Sequence, residues 1–135
     1  MGDFRKLRVW RAAKDLAIDT HKVTARIRGV GRSSLRDQLA RAAMSVHNNI
    51  VEGSAHQSPR EFARYLGYAV ASVSEAEGEL QMARDLGMIN EADFTRLLGQ
   101  IVDVRKMLHG LIKRITRPED DKDDSSTVKR EAGSG

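Results

Sequence analysis

The sequence predicts an all-α protein, an up-down-up-down antiparallel four-helix bundle, and three observations carry that reading. Over residues 62–87, apolar or small side chains at Phe62, Leu66, Ala69, Val73, Ala76, Leu80, Ala83 and Gly87 alternate in steps of four and three without a miss. Such a strict repeat is the seam of a bundle rather than of a lone surface helix. A second run, Phe94, Leu97, Ile101, Val104, Leu108, Leu111 and Ile115, repeats the alternation after a break at Gly87. Composition agrees: 40% hydrophobic but only 4% aromatic residues, with two prolines in 135 residues, favours aliphatic, alanine-rich helices over a sandwich or barrel. That length calls for one domain.

Helix 1 is expected over about residues 3–28, with Phe4, Leu7, Trp10, Ala13, Leu16, Ala17, Val23 and Ile27 mostly inward. Trp10, the sole tryptophan, reads as a core anchor rather than a base-stacking platform. Gly29 to Ser34 then breaks the helix, and Ser33 or Ser34 is placed to cap the next one. The GxGxS look of this turn is a weak phosphate-loop signal, since neither a preceding strand nor a GK[ST] ending is present.

Helix 2 follows over about 34–52, with Leu35, Leu39, Ala42, Ala43, Val46 and Ile50 on one side and Asn49 extending that face. A buried Asn49 needs hydrogen-bond partners and would fix register; an exposed one would help end the helix. Glu52 opposes the dipole of the last turn, so a basic partner such as Arg64 is expected. Gly53 is read as the glycine just past the helix end, in a left-handed conformation.

Ser58, Pro59 and Glu61 form a capping box with proline at the first helical position, a firm start for helix 3 over about 59–86. At 1.5 Å per residue this helix is about 40 Å long and sets the height of the bundle. Beside its seam lies a stripe of small residues, Ala63, Gly67, Ala71, Ser74 and Gly78, suited to a close neighbour. Gly87 closes helix 3, Asn90 caps helix 4 over about 91–117, and Pro118 ends it. Residues 118–135 are polar and charged, a composition of disordered tails.

The charge is unevenly spread. Residues 1–41 hold 11 Lys/Arg against 4 Asp/Glu, residues 42–117 hold 9 against 9, and residues 118–135 hold 3 against 6. Arg5, Lys6, Arg8, Arg11, Lys14, Lys22, Arg26, Arg28, Arg32 and Arg36 are therefore the candidate nucleic-acid surface, attractive to phosphate backbones without reading sequence. The absence of cysteine excludes disulfides, thiolate metal sites and a cysteine nucleophile. The four histidines show neither HExxH nor paired i,i+4 spacing, so no metal and no cofactor is expected. Arg41 and His47 fit a loose nuclease signature, yet six helical residues turn them about 240° apart, so no catalytic residues are expected. No stretch approaches the roughly 18 apolar residues of a membrane span, which points to a cytoplasmic protein.

Several stretches resemble a known family. Phe4-x-x-Leu7-x-Val9-Trp10-x-x-Ala13 is similar to its opening, and Gln38-Leu39-x-Arg41-Ala42-Ala43-x-Ser45-Val46-x-x-Asn49-Ile50-x-Glu52-Gly53 to its most recognisable stretch. Ser58-x-x-Glu61-Phe62-x-Arg64-Tyr65-Leu66 and Ser72-x-x-Glu75-x-Glu77-x-x-Leu80 follow at the expected spacing. The pattern resembles the four-helix-bundle family encoded in intervening sequences of bacterial large-subunit ribosomal RNA genes. The resemblance implies a bundle that assembles into a homopentameric ring, and a more distant relation to pentameric accessory proteins of diversity-generating retroelements, which bind nucleic acid and a reverse transcriptase. It implies no established reaction. Ala76 departs from the family, which more often has leucine there. The expected function is a non-enzymatic binding module contacting RNA or DNA backbone. The alternatives are a scaffold for a reverse transcriptase or other nucleic-acid enzyme and, remotely, an RNA-cleaving helical protein.

Overall fold

The structure, a computed structural model, describes residues 3–117. A 3-10 turn over Phe4–Lys6 leads into four helices, α1 Arg8–Thr24, α2 Ser33–Ser54, α3 Pro59–Asp85 and α4 Glu91–Ile115, with no strand among the described residues. The disorder expected over 118–135 lies outside them. α1 and α3 sit diagonally, each packed on α2 and α4. Cross-helix pairs show that neighbours run antiparallel: Arg26 with Asp93 and Asp19 with Gln100 join α1 to α4, while Glu77 with Arg105 and Arg84 with Phe94 join α3 to α4.

The strict repeats bury as they should. Every seam residue of α3 from Phe62 to Ala83, and of α4 from Phe94 to Leu111, lies in the interior. Leu16, Leu39, Val46 and Ile50 complete one continuous core with all of them but Ala83. Small side chains at Ala13, Ala42, Ala69 and Ala76, all at most 1% exposed, interleave with the leucines, so the helices approach closely.

Helix 1 is shorter than its apolar pattern suggests. Asp3 caps the 3-10 turn, its Oδ1 accepting from the Arg5 N–H at 2.9 Å, and Leu7 is extended, so α1 begins only at Arg8. At the other end the Thr24 hydroxyl donates to the His21 carbonyl, and Ile27 folds into a satellite cluster with Ala83 and Met88, drawing the chain off the helix axis. Neither Ser33 nor Ser34 caps α2. Arg32 is the N-cap without a side-chain bond, and the Ser34 hydroxyl accepts from Gln38 instead.

Gly53 corrects the reading of the next turn. It is buried inside α2 and does not adopt positive φ, which among the described glycines only Gly29, Gly31 and Gly87 do. A Cβ on Gly53 would lie 2.8 Å from Tyr65 Cβ and 3.0 Å from Phe62 Cδ1. The missing side chain is what lets α2 touch the first turns of α3. Gly53→Ala should destabilise the fold by about 1–3 kcal/mol of overpacking, offset in part by helix propensity. A lowered urea midpoint at unchanged slope is the expected result; an unchanged or raised midpoint would contradict the contact.

The capping box forms by half. Ser58 Oγ accepts from the Glu61 N–H at 3.3 Å, but the Glu61 carboxylate turns to Arg64 through two bonds of 2.9 Å. This guanidinium holds the Glu61 carboxyl below its ordinary value. Arg64 is thus engaged by Glu61 and the Tyr68 hydroxyl, not by Glu52, which is exposed. Asn49, half-buried, donates to the Ser45 carbonyl at 2.9 Å and to its hydroxyl, and that hydroxyl shares a 2.9 Å bond with Ser72, a polar bridge that sets the α2–α3 register. Gly87 has φ +72° and closes α3 with the Met88 N–H on the Ala83 carbonyl at 2.8 Å.

Glu79 is an acceptor out of place. Its Oε1 is buried with no hydrogen-bond partner, and burial, with Glu75 adding repulsion, pushes its carboxyl up. The native chain therefore takes up this proton before the unfolded chain does, and loses stability as the pH rises through the range of the shifted carboxyl. Glu79→Gln should raise the urea midpoint at neutral pH and leave it unchanged in acid. An equal gain at both would contradict the titration.

Candidate nucleic-acid interface

The ten basic residues singled out along the first forty do not form one surface. On the outward face of α1, Arg8, Arg11, Asp15, Ile18 and Lys22 recur at helical spacing, all exposed. Asp15 and Ile18 separate Arg11 from Lys22, about 16 Å apart along the axis. Beyond Lys22 the cations are largely tied up. Arg26 pairs with Asp93 at 2.6 Å, and Asp93 also holds Arg96, which reaches Asp19, a ladder that clamps α1 to α4. Arg36 pairs with Asp37, and Arg28 donates to the Ala25 and Ile27 carbonyls. Arg32 is half-buried, and the Lys14 ammonium sits 5.0 Å above the Trp10 ring.

The other end of the bundle is different. Antiparallel packing brings the first turns of α1 beside the last turns of α4, with an open groove between them. One part, about 610 Å³, is lined by Arg5, Lys6, Leu7, Arg8, Arg11, Ala12, Asp15 and Met107. It continues into a part of about 370 Å³ that shares Lys6, Leu7, Arg8 and Met107 and adds Val9, Gly110, Leu111 and Arg114. Gly110 is exposed, with nothing within 4 Å of where a Cβ would stand, so the floor stays low.

Rim and floor have distinct chemistry. Leu7, Met107 and Leu111 make the floor apolar, while Lys6, Arg8, Arg11 and Arg114 stand exposed without an ion pair among the described residues. Arg5 is neutralised by Asp3 at 2.9 Å, and the guanidinium holds the Asp3 carboxyl below its ordinary value. Unpaired cations along a groove give the field that a phosphate backbone meets favourably. Arg114 lies outside the ten cations that the charge of residues 1–41 singles out. Its sequence signal was the topology itself, since the last turn of the fourth helix must adjoin the first turn of the first.

Trp10 packs half-buried against the core, edge-on to Phe4 with ring centroids 5.1 Å apart. Its indole N–H donates to His47 Nε2 at 3.0 Å. That bond requires Nε2 unprotonated, so Nδ1 carries the proton and donates to Asn48 Oδ1 at 3.0 Å. A double-mutant cycle on Trp10→Phe and His47→Ala should give a coupling of about 1 kcal/mol. Additive effects would contradict the bond. Arg41 is exposed on another face of α2, and His56 stacks on Tyr65 with centroids 5.0 Å apart, so Arg41, His47, Glu52 and His56 converge on no common point. Among the described residues no group of three or more His, Cys, Asp or Glu is placed to hold a metal. No helix there is long and apolar enough to cross a membrane.

The profile of the 23S rRNA-intervening sequence protein family matches residues 5–110. The chain belongs to this family. A crystal structure of a protein of unknown function from the S23 ribosomal protein family of Bacteroides thetaiotaomicron has the same fold, with a TM-score of 0.69 at 21% identity, covering 78% of this chain and 98% of that one. Comparison with curated proteins gave no match. In this intervening-sequence protein the matched span holds Lys6, Arg8, Arg11, Met107 and Gly110 of the groove, and Arg114 lies just beyond it.

Proposed function

We propose that this 23S rRNA-intervening sequence protein is a non-enzymatic, cytoplasmic binding module that contacts the phosphate backbone of RNA or DNA. Its contact surface is the rim of the α1/α4 groove rather than the whole of helix 1. The reading rests chiefly on one observation, the row of exposed cations Lys6, Arg8, Arg11 and Arg114 with no carboxylate partner among the described residues. The resemblance adds a homopentameric ring, in which five such grooves would raise weak single contacts to useful avidity. Retention of labelled RNA and DNA oligonucleotides, measured from low to high salt, tests the binding. An association constant that falls steeply with salt is expected, and no retention at the lowest salt would remove the proposal. Light scattering tests the assembly: five copies are expected, and a monomer would overturn the ring.

A second reading has its own observation. Gly67, Ala71, Ser74 and Gly78 on α3 are exposed, and nothing lies within 4 Å of a Cβ built on Gly67 or Gly78. This smooth face suits a protein-interaction scaffold, and the distant kinship with retroelement accessory proteins that the sequence resemblance implies would make a reverse transcriptase or other nucleic-acid enzyme its partner. Loss of that partner on Gly67→Gln, with nucleic-acid retention intact, would favour the scaffold.

A further inference from the structure

Two residues past Arg117, after Pro118, the chain carries Glu119, Asp120, Asp121, Asp123 and Asp124, five carboxylates in six residues interrupted only by Lys122. No comparable acidic run occurs elsewhere in the sequence. We propose that residues 119–124 dock in the α1/α4 groove of their own chain and compete there with an external polyanion. The groove and the run are matched in charge, since Lys6, Arg8, Arg11 and Arg114 offer cations that no described carboxylate pairs with. They are also matched in reach. Arg114 already lines the groove, α4 ends one residue later at Ile115, and the run begins three residues past the Thr116 cap, so an extended connection of about 10 Å suffices to turn back along α4. The rim from Arg114 back to Met107 is seven helical residues, about 10 Å, shorter than the run itself. Local electrostatics favour the same path, because carboxylates directly beyond a helix C-terminus meet the negative end of its dipole, whereas a lateral return brings them to cations.

Tethering makes weak charge pairing effective. A segment held this close reaches an effective concentration in the millimolar range, above that of a dilute external ligand. The tail then acts as a threshold: a long polyanion that engages several grooves displaces it, and a short or sparse one does not. The docking itself stands on the charge and reach of the groove; only its consequence for affinity rests on the function proposed above.

The test uses the full chain in two arms. In the first, the protein alone is treated with a water-soluble carbodiimide at low salt as a mixture of light and ¹⁵N-labelled chains, and coupled peptides are identified by mass spectrometry. Amides between Lys6 Nζ and carboxylates of residues 119–124, formed within one copy and lost at high salt, are expected. No such amide, or amides only between light and heavy copies, would overturn the docking. In the second arm a labelled oligouridylate and an oligothymidylate are titrated against the native chain and against a variant carrying Glu119→Gln, Asp120→Asn, Asp121→Asn, Asp123→Asn and Asp124→Asn. With the groove occupied in about nine molecules of ten, the variant should bind about tenfold tighter at low salt. Equal affinities would overturn the competition. Failure of both proteins to bind, with the Lys6 amides still present, would sink the function and uphold the docking.

Discussion

Reversing Lys6, Arg8 and Arg114 to glutamate in one chain is expected to weaken binding to an RNA or DNA oligonucleotide on the order of a hundredfold at low salt. Each exposed charge pair is worth up to about 1 kcal/mol net, reversal replaces attraction by repulsion, and about 1.4 kcal/mol corresponds to tenfold in affinity. Three such changes leave a hundredfold as a conservative figure after solvent screening. The salt slope should also flatten by about two to three ions. Because all three side chains are exposed, the fold should survive. Glutamate at position 8 even suits the start of α1, while at 114 it opposes the α4 dipole at a cost of about 0.3–1 kcal/mol. Lys22→Glu, at the opposite end of α1, should change affinity less than threefold on the same scale. Retained affinity in the triple variant, with circular dichroism unchanged, would show that phosphate is held elsewhere.

Leu80→Ala carries the largest expected effect on stability. Leu80 is fully buried in the continuous core, on the α3 seam between Ala76 and Ala83. With alanines a turn away on either side, no neighbouring side chain on the seam can swing in to fill the space. The substitution should cost about 2–5 kcal/mol, a large share of the 5–15 kcal/mol typical of a domain. Guanidinium unfolding followed by helical circular dichroism reads it. A loss below 1 kcal/mol would mean that the helices collapse onto the cavity, against the close packing inferred from the alanines.

What the sequence reveals best are the parts governed by periodicity. The alternation from Phe62 to Ala83 and from Phe94 to Leu111 maps onto buried positions because a four-helix bundle has no other place for it. Asn90 and Gly87 read true for an equally local reason, a side-chain oxygen on an N–H and a positive φ. Errors arise where tertiary contacts decide. Gly53 looks like a terminator, yet it is required by Tyr65 and Phe62, which are distant in sequence. Helix 1 looks continuous from 3 to 28, yet Leu7 is extended and Ile27 is drawn into a contact with Ala83 and Met88.

The candidate site shows the same division. Charge along residues 1–41 is visible in the sequence, but which cations are free is decided by Asp93, Asp19 and Asp3 across helices and turns. The contribution of Arg114 follows only from laying the end of α4 beside the start of α1. The proposed binding surface is therefore a product of topology, assembled from two ends of the described chain.

Lysine reactivity tests that assembly most directly. The chain is acylated with and without a saturating oligonucleotide, and the modification of each lysine is quantified by mass spectrometry. Protection of Lys6, which lines both parts of the groove, with Lys22 as reactive as in the free protein, is the predicted result. Protection of Lys22 with Lys6 unchanged would contradict it, placing the nucleic acid on the far end of α1.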